Sequence, residues 1–180
     1  NVIIEAKLEG LPSKFNIGVV YGGSGTGKTT ILKNYFKVGI AESQFDSNKS
    51  LISNFDWLEP AEAARLLSSM GLASVPTWLR PFHTLSNGEQ YRAQLAYVIG
   101  KAQPGEVILI DEFTSVVDRN VAKAMSNAMQ KYLKKHDKTV VLASCHYDII
   151  EWLQPDWIYS PQNGRLEIAP SRRRETIELE

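Results

Sequence analysis

A glycine-rich sequence of eight residues begins at position 22 and reads Gly22-Gly23-Ser24-Gly25-Thr26-Gly27-Lys28-Thr29. The run before it, residues 15–21, is mostly apolar, which indicates a strand buried in a sheet. The run after it, residues 28–37, reads as a helix. We therefore expect a strand, a glycine-rich turn and a helix to follow one another here.

These eight residues match the phosphate-loop pattern of a glycine, four residues, and then Gly-Lys-Ser/Thr. Glycines let the backbone curl so that successive N–H groups point at phosphate oxygens, and the helix start adds a favourable dipole. Lys28 is predicted to reach the β- and γ-phosphates, and the Thr29 hydroxyl to ligate Mg²⁺. The predicted nucleotide-binding residues are Gly22, Gly23, Ser24, Gly25, Thr26, Gly27, Lys28, Thr29 and Thr30. The motif alone does not separate a kinase, a GTPase, a helicase and a transporter ATPase.

Two carboxylates, Asp111 and Glu112, follow the apolar run 107–110. Ligands bind at the carboxyl ends of the strands in open α/β sheets. Asp111 is therefore predicted to hold Mg²⁺, directly or through water. Glu112 is predicted to act as general base or to orient the attacking water. The alternative is an ordinary strand end that becomes acidic at the surface. The presence of a phosphate loop in the same chain makes this alternative less favoured.

Apolar strands alternate with helices along the chain, which predicts an α/β fold with a mainly parallel sheet flanked by helices. The predicted strands are residues 2–4, 6–8, 15–21, 107–110, 139–143, 157–159 and 165–168. The predicted helices are residues 28–37, 60–70, 87–101, 120–136 and 147–153. Residues 44–101 interrupt the alternation and are expected to form a short helical subdomain. They would lie within a single domain whose core is residues 1–43 and 102–170. Residues 71–84, with Pro76 and Pro81, read as irregular.

The composition describes an ordinary globular chain of 180 residues, 43% hydrophobic and 22% charged, with a formal net charge of zero. Zero net charge argues against nucleic-acid binding through bulk charge and leaves only a local basic patch. The only cysteine, Cys145, cannot form a disulfide within the chain, which predicts a cytoplasmic protein. No apolar run approaches the length of about 18 residues that spans a bilayer, so we expect no membrane insertion. The chain begins with Asn1 and ends in an alternating stretch at Glu180, which predicts a piece of a longer protein.

A second motif, Leu85-Ser86-Asn87-Gly88-Glu89-Gln90, resembles the signature sequence of ABC-type ATPases, usually Leu-Ser-Gly-Gly-Gln. Asn87 replaces the first glycine, and Glu89 stands before Gln90. From the residues alone, Ser86 and Glu89 predict a capping box at a helix start. A helix start with free N–H groups, a hydroxyl and Gly88 is also a site for an anion.

Two more elements follow in the order of that family. The sequence Ser115-Val116-Val117-Asp118 resembles its D-loop, although Asp118 could simply cap the next helix. His146 follows the strand 139–143 and resembles its switch histidine, although it could be a plain polar residue. Four elements in order identify a resemblance to the nucleotide-binding domain of the ABC superfamily, over about residues 15–160.

The resemblance implies ATP and Mg²⁺ as cofactors and a homodimer on ATP binding. Two domains would pack antiparallel, and each ATP would lie between the phosphate loop of one copy and the signature of the other. Ser86 and Gly88 would then contact the γ-phosphate in trans, and Asp118 would contact the opposite subunit. Glu112 and His146 would be the catalytic residues.

Two family positions stay open in the sequence. The glutamine that contacts Mg²⁺ in this family is assigned to Gln44, with Asn54 as the alternative. The aromatic residue that stacks on adenine could be Phe15, with core packing as the alternative.

Three functions are compatible with these sequence features. The first is a soluble ABC ATPase that drives conformational change in an attached domain or partner. The second is the ATPase subunit of a membrane transporter, which usually carries a longer insert than this chain, where Lys28 and Ser86 are 58 positions apart. The third is a P-loop small-molecule kinase, which would need an acceptor pocket. The run Thr77–His83 before the signature is similar to soluble ABC ATPases fused to a GNAT-type acetyltransferase domain, which makes such a fusion a candidate.

Overall fold

The computed structural model describes residues 10–23, 25–31, 45–111 and 118–169. The predicted strands 2–4 and 6–8 lie outside the described residues, as does the part of the predicted helix beyond residue 31.

One sheet organises the described part of the chain. Its strands are β1 (Ile17–Tyr21), β2 (Val107–Ile110), β3 (Thr139–Ser144), β4 (Trp157–Ser160) and β5 (Arg165–Ile168). Their order across the sheet is β2-β3-β1-β4-β5. The pairs β2–β3, β3–β1 and β1–β4 are parallel, and β5 runs antiparallel to β4. The predicted α/β class with a mainly parallel sheet is confirmed.

Both faces of the sheet are covered by apolar side chains. Val140 and Leu142 of β3 belong to one buried cluster, and Val141 and Ala143 belong to a second. This alternation follows from the pleat, which points successive side chains to opposite faces. A strand buried on both faces is apolar along most of its length, and this explains the apolar runs in the sequence.

Six helices accompany the sheet in the described residues. Helix α1 begins at residue 28 and is described to residue 31. The others are α2 (Pro60–Ser69), α3 (Val75–Trp78), α4 (Asn87–Lys101), α5 (Arg119–Lys135) and α6 (Asp148–Leu153). Short 3₁₀ turns occupy Ile52–Asn54 and Phe82–Thr84. The predictions for α2, α4, α5 and α6 are confirmed to within about one residue at each end, the usual uncertainty of helix boundaries. Among the described residues, none of these helices has both the length and the hydropathy needed to cross a bilayer.

The prediction of an irregular segment over residues 71–84 is wrong in part, because this segment contains α3. Pro76 falls in the first turn of α3. Proline is tolerated there, since the N–H groups of the first turn have no partner within the helix. The indole Nε1 of Trp78 donates a hydrogen bond of 2.6 Å to the Leu72 carbonyl and joins this turn to the segment that follows α2.

Helices α2, α4 and α5 cover one face of the sheet. Their buried residues Leu66, Ile99 and Met129 belong to the same apolar cluster as Ile110 of β2. The helical region from residue 45 onward therefore shares one continuous core with the sheet. Its assignment as a separate subdomain stays a prediction.

Candidate nucleotide site

The glycine-rich loop joins the end of β1 to the start of α1. Gly25 and Gly27 have positive φ angles of 80° and 85°. A Cβ atom at either position would meet nothing within 4 Å, so the backbone conformation, and not space, requires glycine here. The Thr26 hydroxyl donates a hydrogen bond of 2.7 Å to the Gly23 carbonyl and closes the turn. The loop therefore has the curled shape that a phosphate cradle needs.

Lys28 is held inside this loop. Its side chain is buried, at 5% exposure, and its Nζ donates hydrogen bonds of 2.7 Å to the Gly22 carbonyl and 2.9 Å to the Gly23 carbonyl. A buried ammonium is tolerated only where oxygen acceptors surround it. The loop thus carries a positive charge at its inner surface, where phosphate oxygens would bind.

We expect Lys28→Ala to weaken ATP binding by about 10- to 100-fold. Hydrogen bonds to charged groups contribute about 1.5–3 kcal/mol, and each 1.4 kcal/mol corresponds to a factor of about ten in Kd. Titration calorimetry with a non-hydrolysable ATP analogue measures the change. Lys14→Ala is the matched control, because Lys14 is exposed and pairs with Asp137 at 3.6 Å. Equal affinities for Lys28→Ala and the wild type would contradict the cradle.

Thr29 and Asp111 meet between the loop and the end of β2. The Thr29 hydroxyl donates a hydrogen bond of 2.7 Å to Oδ2 of Asp111. The other carboxylate oxygen, Oδ1, is buried and has no hydrogen-bond partner in the described part of the chain. A buried carboxylate oxygen without a partner is unfavourable unless something else satisfies it.

These oxygens fit a magnesium ion. Mg²⁺ prefers oxygen ligands, keeps several waters and takes only one or two protein ligands together with substrate phosphates. In the described residues no group of three or more His, Cys, Asp and Glu side chains forms a metal-binding cluster. A site of one carboxylate and one hydroxyl beside a phosphate loop is therefore suited to Mg²⁺ carried by a nucleotide, and the orphaned Oδ1 supplies the free ligand atom.

Strand β3 lies between β1 and β2 and brings His146 to the same edge. The Gly22 amide donates a hydrogen bond of 3.2 Å to the Ser144 carbonyl at the end of β3. The His146 amide donates one of 3.1 Å to the Ser144 hydroxyl. His146 is exposed to solvent. The carboxyl ends of three adjacent strands thus gather Lys28, Asp111 and His146 at one edge of the sheet.

Helix α4 begins at the signature motif with a complete capping box. The Ser86 hydroxyl accepts from the Glu89 amide at 3.3 Å, and the Glu89 carboxylate accepts from the Ser86 amide at 3.0 Å. The backbone hydrogen bond from Ser86, chiefly, lowers the pKa of Glu89 and keeps the carboxylate ionised. Ser86 is exposed, and Gly88 is half-buried. The capping prediction is confirmed, and the hydroxyl and the helix start face solvent.

Asp118 caps helix α5. Its Oδ1 accepts hydrogen bonds of 3.0 Å from the amides of Asn120 and Val121. Asp118 is exposed, so capping leaves the residue at the surface. The capping alternative is confirmed, and the contact with an opposite subunit stays a prediction.

Several predicted positions fall elsewhere. Ser24, Gln44, Glu112 and residues 115–117 lie outside the described residues. Thr30 follows Thr29 on α1 and is exposed. The Asn54 side chain accepts from the Asp46 amide and donates to the Ser50 carbonyl, so its hydrogen bonds stabilise the local loop. The Phe15 ring packs edge-on against Trp157 with ring centroids 5.4 Å apart, as the core-packing alternative predicts.

Two features of the site were missed by the sequence analysis. Ser144 joins the glycine-rich loop to the His146 segment through its carbonyl and its hydroxyl. Arg119 and Asp148 form an ion pair between α5 and α6. The only sequence signal for this pair is that each residue lies close to a predicted site residue, Asp118 or His146.

Residues 19–168 match one protein family, which is described as the ATPase family associated with various cellular activities (AAA). No curated protein sequence matches this chain.

Solved structures with a similar fold include several ATP-binding cassettes. The cassette MJ0796, in a dimeric post-hydrolysis state bound to ADP and Pi, has a TM-score of 0.61 and 16% identity, covering 86% of this chain and 85% of that chain. The cbiO1 protein from Clostridium perfringens, part of the ABC transporter complex cbiONQ, has a TM-score of 0.60 and 18% identity, covering 91% and 80%. The archaeal ribosome recycling factor aABCE1 has a TM-score of 0.60 and 20% identity, covering 81% of this chain and 31% of that chain. At these identities the likeness concerns the fold.

Proposed function

The chain belongs to the ATPase family associated with various cellular activities (AAA), and we propose that it hydrolyses MgATP as an ABC-type domain that works in a head-to-tail pair. One observation carries the proposal: the buried Lys28 ammonium and the Thr29–Asp111 pair, with its orphaned carboxylate oxygen, lie at the same sheet edge. A triphosphate and its metal need both groups together.

Binding begins at the glycine-rich loop. Its backbone N–H groups and the start of α1 would surround the phosphates, and Lys28 would exchange its carbonyl partners for β- and γ-phosphate oxygens. Thr29 and Asp111 would hold Mg²⁺. When bound, Mg²⁺ supplies positive charge that offsets the charge developing on the phosphate oxygens.

Glu112 and His146 are assigned to the chemical step. Glu112 follows Asp111 directly in the sequence, at the strand end where a carboxylate can orient a water toward the γ-phosphorus. The water oxygen forms the new bond to phosphorus as the bond to the β–γ bridging oxygen breaks. The electron pair then stays on ADP, and Glu112 accepts the proton of the water. His146 would contact the γ-phosphate from the end of β3 and stabilise its charge.

The signature helix completes the site in a second copy. Ser86 is exposed, and its hydroxyl lies at the start of a helix of fifteen residues. Such a helix start favours an anion. Two of the similar solved structures show one protein, the cassette MJ0796, as a dimer. Both points support an arrangement in which Ser86 and Gly88 of one copy face the γ-phosphate bound by the other.

Closing and opening of this pair around ATP would be the output of the domain. The chain would transmit it to an attached domain or a partner, for which a fused acetyltransferase is one candidate.

The pairing is tested on Glu112→Gln, which should bind ATP, turn it over slowly and accumulate a dimer. In that background, Ser86→Arg should abolish the ATP-dependent dimer, because its bulk fills the space of the γ-phosphate. Ser86→Asp should do the same by charge repulsion, while it retains a favourable helix cap. Sedimentation velocity with and without MgATP measures the dimer, and titration with a fluorescent ATP analogue measures binding to the monomer.

The matched control is Ser74→Arg. Ser74 is also the exposed first residue before a helix, but its side chain makes no capping hydrogen bond. It should leave both binding and dimerisation unchanged. A full ATP-dependent dimer in Ser86→Asp would reject the trans contact, and wild-type turnover in Glu112→Gln would reject the assigned base.

A further inference from the structure

An ion pair between Arg119 and Asp148 connects the residue after the predicted D-loop to the segment after His146. Arg119 directly follows Asp118, and its guanidinium pairs with the Asp148 carboxylate on α6. The same guanidinium lies over the Trp152 ring, 4.9 Å from its centroid. A planar guanidinium can satisfy a carboxylate and stack on an aromatic ring at once, which a lysine does less well. The start of α5 is therefore attached to α6 at two points.

On the other side, the chain that leads into α6 contacts the phosphate loop at the end of β3. Asp148 lies two residues after His146, whose amide bonds to the Ser144 hydroxyl at 3.1 Å. The Ser144 carbonyl accepts from the Gly22 amide at 3.2 Å. These contacts, together with the two chain segments 146–148 and 118–119, connect Gly22 through His146 to Arg119 and Asp118.

We propose that Arg119, Asp148 and Trp152 are positioning residues, which hold His146 and Asp118 in register so that nucleotide bound at the loop is sensed at the dimer surface. This inference rests on the proposed function and adds the connection within one copy. Call these three side chains the α5–α6 clamp. None of them would touch the nucleotide.

The exposure of the α5–α6 clamp separates positioning from general stability. The Arg119 and Asp148 side chains are 45% and 46% exposed, and half-exposed ion pairs contribute little to the free energy of unfolding. Its loss should therefore leave the fold intact. A small displacement of positioned groups, in contrast, can lower turnover by up to about 100-fold.

The test is a double-mutant cycle of Arg119→Gln and Asp148→Asn. Each single variant should lower kcat about tenfold and leave the affinity for an ATP analogue within about twofold. The double variant should be no slower than either single one, because both remove the same contact. Arg119→Lys, which keeps the charge but loses the stacking geometry, should recover part of the rate. Arg165→Gln is the control. Arg165 forms an exposed ion pair of 3.1 Å with Glu167 on β5, and neither residue belongs to the α5–α6 clamp.

A second readout does not need activity. Cys145 is the only cysteine of the chain, is exposed, and lies next to His146. Its rate of alkylation reports the conformation of the segment between Ser144 and Tyr147. Arg119→Gln and Asp148→Asn should each change the alkylation rate about threefold or more, because each removes the ion pair that holds α6 to α5. Arg165→Gln should leave the rate unchanged.

The outcomes are distinct. Wild-type kcat and alkylation rates in both single variants would overturn the inference, and so would strictly additive losses in the double variant. A general loss of thermal stability would also count against it, because it would show a structural role. Absence of ATPase activity in the wild type would refute the proposed function. The alkylation rates would still test the α5–α6 clamp.

Discussion

Asp111→Asn should lower ATP turnover by about 1000-fold while the protein stays folded. The substitution removes the negative charge and replaces one carboxylate oxygen, either the buried Oδ1 or the Oδ2 that accepts from Thr29, by an amide nitrogen that cannot ligate a metal ion. Metal stabilisation of the phosphate charge contributes several kcal/mol to the barrier, and each 1.36 kcal/mol is about tenfold in rate. Steady-state phosphate release over a range of Mg²⁺ concentrations measures the loss, and circular dichroism checks the fold.

Thr29 provides the matched pair for this experiment. Thr29→Ser keeps the hydroxyl that bonds to Asp111 at 2.7 Å and should retain most of the activity. Thr29→Val keeps the shape, lacks the hydroxyl, and should shift the Mg²⁺ dependence to higher concentrations. Binding of Mn²⁺ together with ATP, followed by electron paramagnetic resonance, reports the same site without turnover. Unchanged Mg²⁺ dependence in both Asp111→Asn and Thr29→Val would show that the metal is held elsewhere.

Gly18→Ala should destabilise the fold by at least about 3 kcal/mol, the upper range for overpacking a core. A Cβ atom at Gly18 would lie 2.1 Å from Cζ2 of Trp157, whose side chain is fully buried on the neighbouring strand. Neither the strand backbone nor the indole can move away without disturbing the sheet. Because domains are stable by only about 5–15 kcal/mol, this loss is a large fraction of the total. Urea unfolding measures it through the transition midpoint.

Gly100→Ala is the contrasting substitution. Its Cβ would approach Cδ2 of the buried Leu66 to 2.6 Å and Cζ2 of Trp57 to 3.3 Å, but the nearer atom is a terminal methyl group, which moves more easily than the ring of Trp157. Alanine also gains about 1 kcal/mol over glycine within a helix. We expect a change of no more than about 1 kcal/mol in the free energy of unfolding. If Gly18→Ala were as mild as Gly100→Ala, the close approach of β1 and β4 would not limit stability.

Local patterns predicted the elements of this fold well, and long-range contacts explain what they left open. Apolar runs located β2 and β3, and Ser86 with Glu89 located the start of α4, because each signal lies within a few residues. The strand order was not predictable in the same way. Nothing within residues 139–144 indicates that β3 lies between β1 and β2, since that order depends on pairing with β1, more than a hundred positions away, as well as with β2. The short helix α3 was missed because Pro76 reads as a breaker unless its place in a first turn is known.

The candidate site shows the same difference between local signals and long-range contacts. The pairing of Thr29 with Asp111 agrees with two motifs whose chemistry is local. The roles of Ser144 and of Arg119 with Asp148 depend on neighbours that only the fold brings together. The role of Ser86 in trans depends on a second copy and therefore remains a proposal.

The last strand of the described sheet, β5, has consequences for how copies can associate. Its exposed residues, Arg165 and Glu167, alternate with half-buried ones and pair with each other. Charged side chains on a border strand discourage a second chain from extending the sheet by main-chain hydrogen bonds. Within the described sheet, strand-to-strand polymerisation along β5 is thereby disfavoured.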